Sequence, residues 1–447
     1  MQFSPNLLTI SPEGWTLPGG NTASVLNAAT FAPGPVRGTV SVPGDKSISH
    51  RALIAAATIP EPVRIANLNP GRDVRATLEA LAALGTRIER DNDDVVVSGA
   101  RLREPAADLD CMNSGSTARM LLGACAGANV PARFDGDSSL RRRPMEPVAA
   151  QLRAFGAKIA TTEGRMPVEL QGRPQIQTRS FILLSPSAQV KSALLFAGVF
   201  AKTAIDISGD RGSRDHTERL LHYLGADVTW DGRNVSLGTT PLSAKPIDVA
   251  GDFSAAAFFI TAAAIAPGSD VTVCGTGVNP TRTGLLDALR LMGASIELRN
   301  ERTVAGEPVA DVAVRYAPLH AIGVGPELAL RAIDEIPLLA VAAAFAEGET
   351  SISGIRELRT KESDRIATTQ GLLSAVGVET IARADGLTVC CGARSAATAP
   401  VSTHDDHRIA MAAAVLACGA GPIAIDSDAS IDVSFPNFLT TLAGVRA

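Results

Sequence analysis

The stretch Leu81–Glu89, LAALGTRIE, runs an apolar helical pattern into a glycine and leaves it as an alternating strand. The same arrangement returns as LRAFGAKIA at Leu152–Ala160, LHYLGADVT at Leu221–Thr229, LRLMGASIE at Leu289–Glu297 and LLSAVGVET at Leu372–Thr380. A glycine directly after a helical pattern marks a helix C-cap, where positive φ is cheap only without a Cβ. The residues that follow alternate as a half-buried strand does. The glycines, Gly85, Gly156, Gly225, Gly293 and Gly377, stand 71, 69, 68 and 84 residues apart.

A second series runs out of phase with the first. Ala-rich apolar segments begin near Ser47, Ser114, Ser187, Phe253, Asp334 and Asp405. Each leads into a short alternating stretch: PVRIANL, PARFDGD, AIDISGD, DVTVCGT, TSISGI and PIAIDSD. The starts are 66 to 81 residues apart, longer than the period of solenoid repeats. The two series together predict six α/β units, three to a domain, the last cut short by the C-terminus. A chain of 447 residues is also too long for one ordinary core.

Composition removes several function classes. Hydrophobic residues make up 46% and aromatics only 4%, which leaves no stacking platform for single-stranded nucleic acid. A net charge of −5 and a pI of about 5.8 argue against a general nucleic-acid binder. Apolar runs such as Ala255–Ala266 are too short to span a membrane. The first cation is Arg37, so the cationic start of a signal peptide is missing. Six Cys without a CxxC pair fit a reducing, cytoplasmic setting.

The chemistry sits at the starts of the Ala-rich segments: GDKSISHR, MNSGSTAR, SPSAQVKS, AGDFSAAA, AIDEIPLL and THDDHRIA. Capping of free helix N–H groups accounts for Ser114, Asp252 and Asp405. It does not account for Lys46, Arg51, Arg119, Lys191 or Arg408, because cations near a helix N-terminus oppose the macrodipole. An anion held between cation and helix end removes that conflict, so converging starts of this kind trap a polyanion. A nucleotide P-loop does not fit VPGDKSISHRALIAAA, where Asp45 separates Gly44 from Lys46.

Three further segments join these: DSSLRRRPM at Asp137–Met145, Arg214–Asp215, and ELRTKESDRIA at Glu357–Ala367. The four-residue spacing of Lys361 and Arg365 puts both on one helix face and turns Glu362 away, free to act as an acid. His404 and His407 in THDDHR lack a second cluster to complete a metal site. Cys111 reads as a buried thiol, and adjacent Ser47, Ser49 and His50 do not make a catalytic serine arrangement.

The set GDKSISHR, NSGSTAR, RRRPM, SAQVKSA, SRDHTE, IDEIP, RTKESDR and HDDHRIAM, in this order between Val36 and Phe438, resembles the 5-enolpyruvylshikimate-3-phosphate synthases. The resemblance implies the α/β two-domain enolpyruvyl transferase fold, an inside-out α/β barrel with three βαβαββ units per domain. Residues 1–44 and 249–447 would form the domain with both chain ends, 45–248 the inserted one, and 1–33 a surface arm. The implied reaction transfers the enolpyruvyl group of phosphoenolpyruvate to the 5-hydroxyl of shikimate 3-phosphate, releasing phosphate, on the shikimate pathway to aromatic amino acids.

Carried over by motif, Lys46 touches both substrates. Ser47, Arg51, Ser187, Ala188, Gln189, Arg214, Asp334 and Lys361 hold shikimate 3-phosphate. Gly115, Arg143, Gln189, Arg365 and Arg408 hold phosphoenolpyruvate. Asp334 is the base, Glu362 the acid, and Lys46 assists. The resemblance implies no metal, no organic cofactor, no nucleic acid and no membrane, only small anionic substrates and a monomer.

Ala188 and Arg214 resemble the class II, glyphosate-insensitive branch, but Gly115 stands where that branch typically has Ala, which predicts glyphosate binding. Val433 replaces a C-terminal Lys found in some members. UDP-N-acetylglucosamine enolpyruvyl transferase is the nearest rival, disfavoured because DSSLRRRPM holds no Cys. A non-catalytic anion binder would have no use for Asp334 and Glu362 among its cations. Cations on both sides of a cleft predict repulsion that bound anions relieve.

Overall fold

The computed structural model describes residues 29–172, 175–390, 392 and 394–446. The arm expected over residues 1–33 lies mostly outside them. Of its end, Thr30–Phe31 pairs antiparallel with Ile423–Ala424; Phe31 is buried, while Thr30, Ala32 and Pro33 are exposed.

All five repeat glycines have positive φ, between 81° and 115°, and each is followed by a strand. The strand turns back on itself and pairs antiparallel, as Arg87–Asp91 does with Asp94–Ser98 and Ile159–Thr162 with Arg165–Leu170. Five four-stranded sheets result, all of one pattern. In the second, Leu109–Asp110 lies parallel to Ala132–Asp135, which lies antiparallel to Arg165–Leu170. The helix Gly115–Ala128 connects the first two strands, and Glu146–Phe155 leads to the hairpin. That is a βαβαββ unit. Among the described residues the sixth unit has no closing hairpin, and its strand Ile423–Ala424 pairs with Thr30–Phe31.

The Ala-rich helices are the interior of this arrangement. Phe253–Ile265 buries all 13 of its residues, and a helix apolar on every side belongs inside. Small residues let these helices meet backbone to backbone. A Cβ on Gly123 would stand 2.2 Å from the Ala193 carbonyl oxygen of the neighbouring helix Ala188–Ala201, and one on Gly127 would stand 2.4 Å from that of Ala197. Overpacking such a contact costs roughly 1–3 kcal/mol.

Buried apolar side chains form two clusters. One gathers Val36, Val40 and Val42 with residues between Phe253 and Val445; the other takes residues between Ile48 and Ala250 together with Val309. The first strands of two units are exchanged between them. Arg37–Ser41 pairs parallel with Asp270–Gly277, and Ile247–Asp248 pairs parallel with Val63–Ala66. Gly44 bridges Gly251 where the two segments pass. The helices Lys46–Ala56 and Phe253–Ile265 therefore begin side by side, and Lys46 N donates to Asp252 Oδ2 at 3.1 Å.

Candidate active site

The other Ala-rich helices open toward the same place. Arg51 on the first reaches the third, donating to Ser192 Oγ at 2.9 Å. Arg119 on the second reaches Gln189 Oε1 on the third at 2.7 Å. Arg214 lies before the helix His216–Tyr223 and meets Asp334 Oδ2 at 2.5 Å, in the turn Ile333–Glu335 that leads into Ile336–Ala343. Arg408, second in the helix His407–Ala420, stands 3.8 Å from the same carboxylate. Ser114 and Asp252 cap as expected, and Ser187 caps its helix as well; in the sixth helix the cap is Asp406, not Asp405, which has φ of 56°.

Two cations in the site have no carboxylate within ion-pair distance among the described residues. Arg51, 3% exposed, donates to Thr217 Oγ1, Ser192 Oγ and the Ser47 carbonyl; burial lowers its pKa to about 10, so it stays charged at neutral pH. Arg119 is likewise lowered to about 10 by burial and by Arg143, and among the described residues donates to Gln189 and the Pro144 carbonyl. Of the three arginines of DSSLRRRPM, only Arg143 turns in. It donates to Asn113 Oδ1, stands 3.7 Å from Glu362, and its buried Nε has no hydrogen-bond partner among the described residues. Arg141 instead pairs with Asp135 at 2.6 Å. A buried cation held only by neutral acceptors keeps its charge available to an anion.

The two carboxylates are interleaved with these cations. Burial raises the Asp334 carboxyl, yet Arg214, Arg408 and Lys361 outweigh it and hold it well below the usual range. Glu362 follows the same rule: Arg365 at 2.7 Å and Arg143 at 3.7 Å overcome burial and keep it ionised. Lys46 Nζ pairs with Asp73 at 2.8 Å. Asp334 and Glu362 thus pair part of the cationic charge, while Arg51 and Arg119 stay without a carboxylate partner among the described residues.

Other expectations need correction. Lys361 and Arg365 share no helix face: Lys361 lies in the loop after the turn Arg356–Thr360 and pairs with Glu357, while Arg365 begins the helix Arg365–Ser374. Glu362 does not point away, because that loop turns it back onto Arg365. Lys191 is no anion ligand either. It is 1% exposed and bound to Asp210 at 2.7 Å and Glu218 at 2.6 Å. His407 is buried, with burial and Lys46 pushing its pKa down to about 3.

Ser47 and Ala188 lie at helix starts, and Ser187 Oγ caps Val190 N at 3.4 Å. Gln189 also donates to Ser116 Oγ at 3.0 Å, and Gly115 is the first residue of its helix. Val433 lies in the turn Ala429–Val433, where neighbouring Asp432 meets Arg72 at 3.7 Å. The sequence flagged Arg119 as an unexplained cation but gave it no role. It gave no signal for Asp406, whose carboxylate takes two bonds from Arg365.

Six α/β units wrapped around buried helices, with a cationic cleft holding two carboxylates, agree with the enolpyruvyl transferase fold, which structural neighbours share. A family model described as EPSP synthase (3-phosphoshikimate 1-carboxyvinyltransferase) matches residues 31–442, and the chain belongs to that family. Relatives named 3-phosphoshikimate 1-carboxyvinyltransferase include those of Gloeobacter violaceus, 47% identical and covering 92% of this chain and 96% of theirs, and Acidithiobacillus ferrooxidans, 45% identical at 90% and 93%. An EPSP synthase structure from Acinetobacter baumannii superposes with a TM-score of 0.82 at 37% identity, covering 93% of this chain and 98% of that one. The enolpyruvyl transferase NikO from Streptomyces tendae shares the fold, with a TM-score of 0.71 at 19% identity over 94% and 97%. No helix among the described residues is long and apolar enough to cross a membrane.

Proposed function

We propose that the enzyme, which transfers the enolpyruvyl group of phosphoenolpyruvate to shikimate 3-phosphate, divides its two polyanions between the two sets of cations. Lys46, Ser47, Arg51, Ser187, Ala188, Gln189, Arg214 and Lys361 hold shikimate 3-phosphate. Lys46, the Gly115 backbone, Arg143, Gln189, Arg365 and Arg408 hold phosphoenolpyruvate. The observation that carries this reading is Asp334, 2.5 Å from Arg214 and 3.6 and 3.8 Å from Arg365 and Arg408. A carboxylate between the two sets stands where the acceptor hydroxyl meets the donor.

Asp334 takes the proton of the 5-hydroxyl as its oxygen attacks C2 of phosphoenolpyruvate, and Glu362 protonates the methylene carbon. The tetrahedral intermediate then expels phosphate and returns a methyl proton to the ionised Glu362 carboxylate, which restores the enol ether. The surrounding cations stabilise the charge on the leaving phosphate.

The reading extends to organisation. Residues 1–44 and 249–447 form one domain and 45–248 the other, supported by the two apolar clusters and the exchanged strands. Ala188 and Arg214 support the class II branch. The monomer is what the family resemblance implies, and a cytoplasmic setting is supported by the free thiols of Cys111, Cys125, Cys274, Cys390 and Cys418. Steady-state kinetics tests the division of substrates. Arg214→Ala is expected to raise KM for shikimate 3-phosphate, and Arg143→Ala that for phosphoenolpyruvate, each about tenfold or more. Equal effects of either variant on both KM values would contradict it.

A further inference from the structure

Glu335 is fully buried next to Asp334 and has no part in the chemistry above. Its carboxylate accepts from Arg282 NH1 at 2.9 Å on Oε1 and 2.8 Å on Oε2, and Oε1 also accepts from Ser254 Oγ at 2.5 Å and Arg408 NH1 at 3.4 Å. Arg282, 3% exposed, donates to the same Ser254 hydroxyl and lies over the Phe253 ring, 5.8 Å from its centroid. It is a fixed anchor rather than a group that reaches the cleft.

Arg408 is gripped by one end. Its NH1 meets Ser254 Oγ at 3.0 Å, the Asp334 carbonyl at 3.1 Å and Glu335, while its NH2 faces the Asp334 carboxylate at 3.8 Å. We propose that Glu335 is a positioning residue: anchored on Arg282, it holds Arg408 by NH1 and leaves NH2 for the anionic end of phosphoenolpyruvate. This rests on the reading of Arg408 as a ligand of that substrate.

A buried ion pair is weak evidence for stability, but a satisfied buried network fixes one geometry. An arginine already ordered also loses less rotamer freedom when its anion arrives. Without the Glu335 charge, Arg408 would share Asp334 with Arg214 and Arg365 and swing toward it. Donor binding would then weaken, with acceptor binding little changed.

The test compares Glu335→Gln, Arg408→Lys and the pair Arg282→Met with Glu335→Gln, each by KM for phosphoenolpyruvate, kcat and calorimetric Kd for shikimate 3-phosphate. Glu335→Gln is expected to raise KM for phosphoenolpyruvate about tenfold and to move Kd for shikimate 3-phosphate less than about twofold. The double variant, in which the buried charges cancel, is expected to stay as weak for phosphoenolpyruvate, and it carries the test if the single variant does not fold. Recovery of the wild-type KM in the double variant would overturn the proposal, because Glu335 would then only neutralise Arg282. An unchanged KM in folded Glu335→Gln while Arg408→Lys raises it would overturn the proposal alone. An unchanged KM in Arg408→Lys would overturn the reading of Arg408 beneath it.

Discussion

Phosphoenolpyruvate binding beside shikimate 3-phosphate is predicted to load a proton onto Glu362. Before binding, Arg365 at 2.7 Å and Arg143 at 3.7 Å hold that carboxyl down against the opposing effect of burial. One such charge pair near 4 Å is worth about 4 kcal/mol in an effective dielectric of about 20. Only about 1.4 kcal/mol shifts a proton equilibrium tenfold. A bound carboxylate and phosphate that claim either arginine therefore leave burial to dominate, and burial favours the neutral acid.

Protons are therefore taken up on binding, and the uptake grows as pH falls through the neutral range. Calorimetric titration in buffers of different ionisation enthalpy reads the number directly. Asp334→Ala protein already holding shikimate 3-phosphate keeps turnover from contributing heat. A slope indistinguishable from zero between pH 6 and 8, or one that persists after Glu362→Gln is added, would refute the reasoning.

Two substitutions separate scaffold from site. Lys191→Met leaves Asp210 and Glu218 buried without their cation, and thermal unfolding should show a loss of about 3–5 kcal/mol with KM values unmoved; a raised KM for either substrate would return Lys191 to the anion site. Gly115→Ala would put a methyl 2.5 Å from Arg119 NH1 and 3.6 Å from Arg143 NH1. Arg119 can yield there, so the variant should fold, but the added volume should weaken glyphosate inhibition roughly tenfold or more. An unchanged inhibition curve would place the inhibitor elsewhere.

The architecture was legible because its signals are local. Gly85 and its four counterparts need positive φ whatever surrounds them, and the alternation after each declares a strand. The exchange of Arg37–Ser41 and Ile247–Asp248 between sheets is not local, since either strand would suit either partner. Candidate site residues at helix starts stood out because their charge conflicts with the macrodipole there. That same conflict misled at Lys191, whose partners Asp210 and Glu218 arrive from other elements. Four-residue spacing misled at Lys361, because the helix begins only at Arg365, after its cap Asp364. Glu335 and Asp406 left no mark, since a carboxylate beside a helix start reads as a cap whether or not it grips an arginine.

The most direct test is phosphate release from phosphoenolpyruvate, measured for wild type and Asp334→Ala with shikimate 3-phosphate or UDP-N-acetylglucosamine as acceptor. Release is predicted with shikimate 3-phosphate only, falling about 100-fold or more in the variant. Undiminished release by Asp334→Ala would contradict the central role given to that carboxylate.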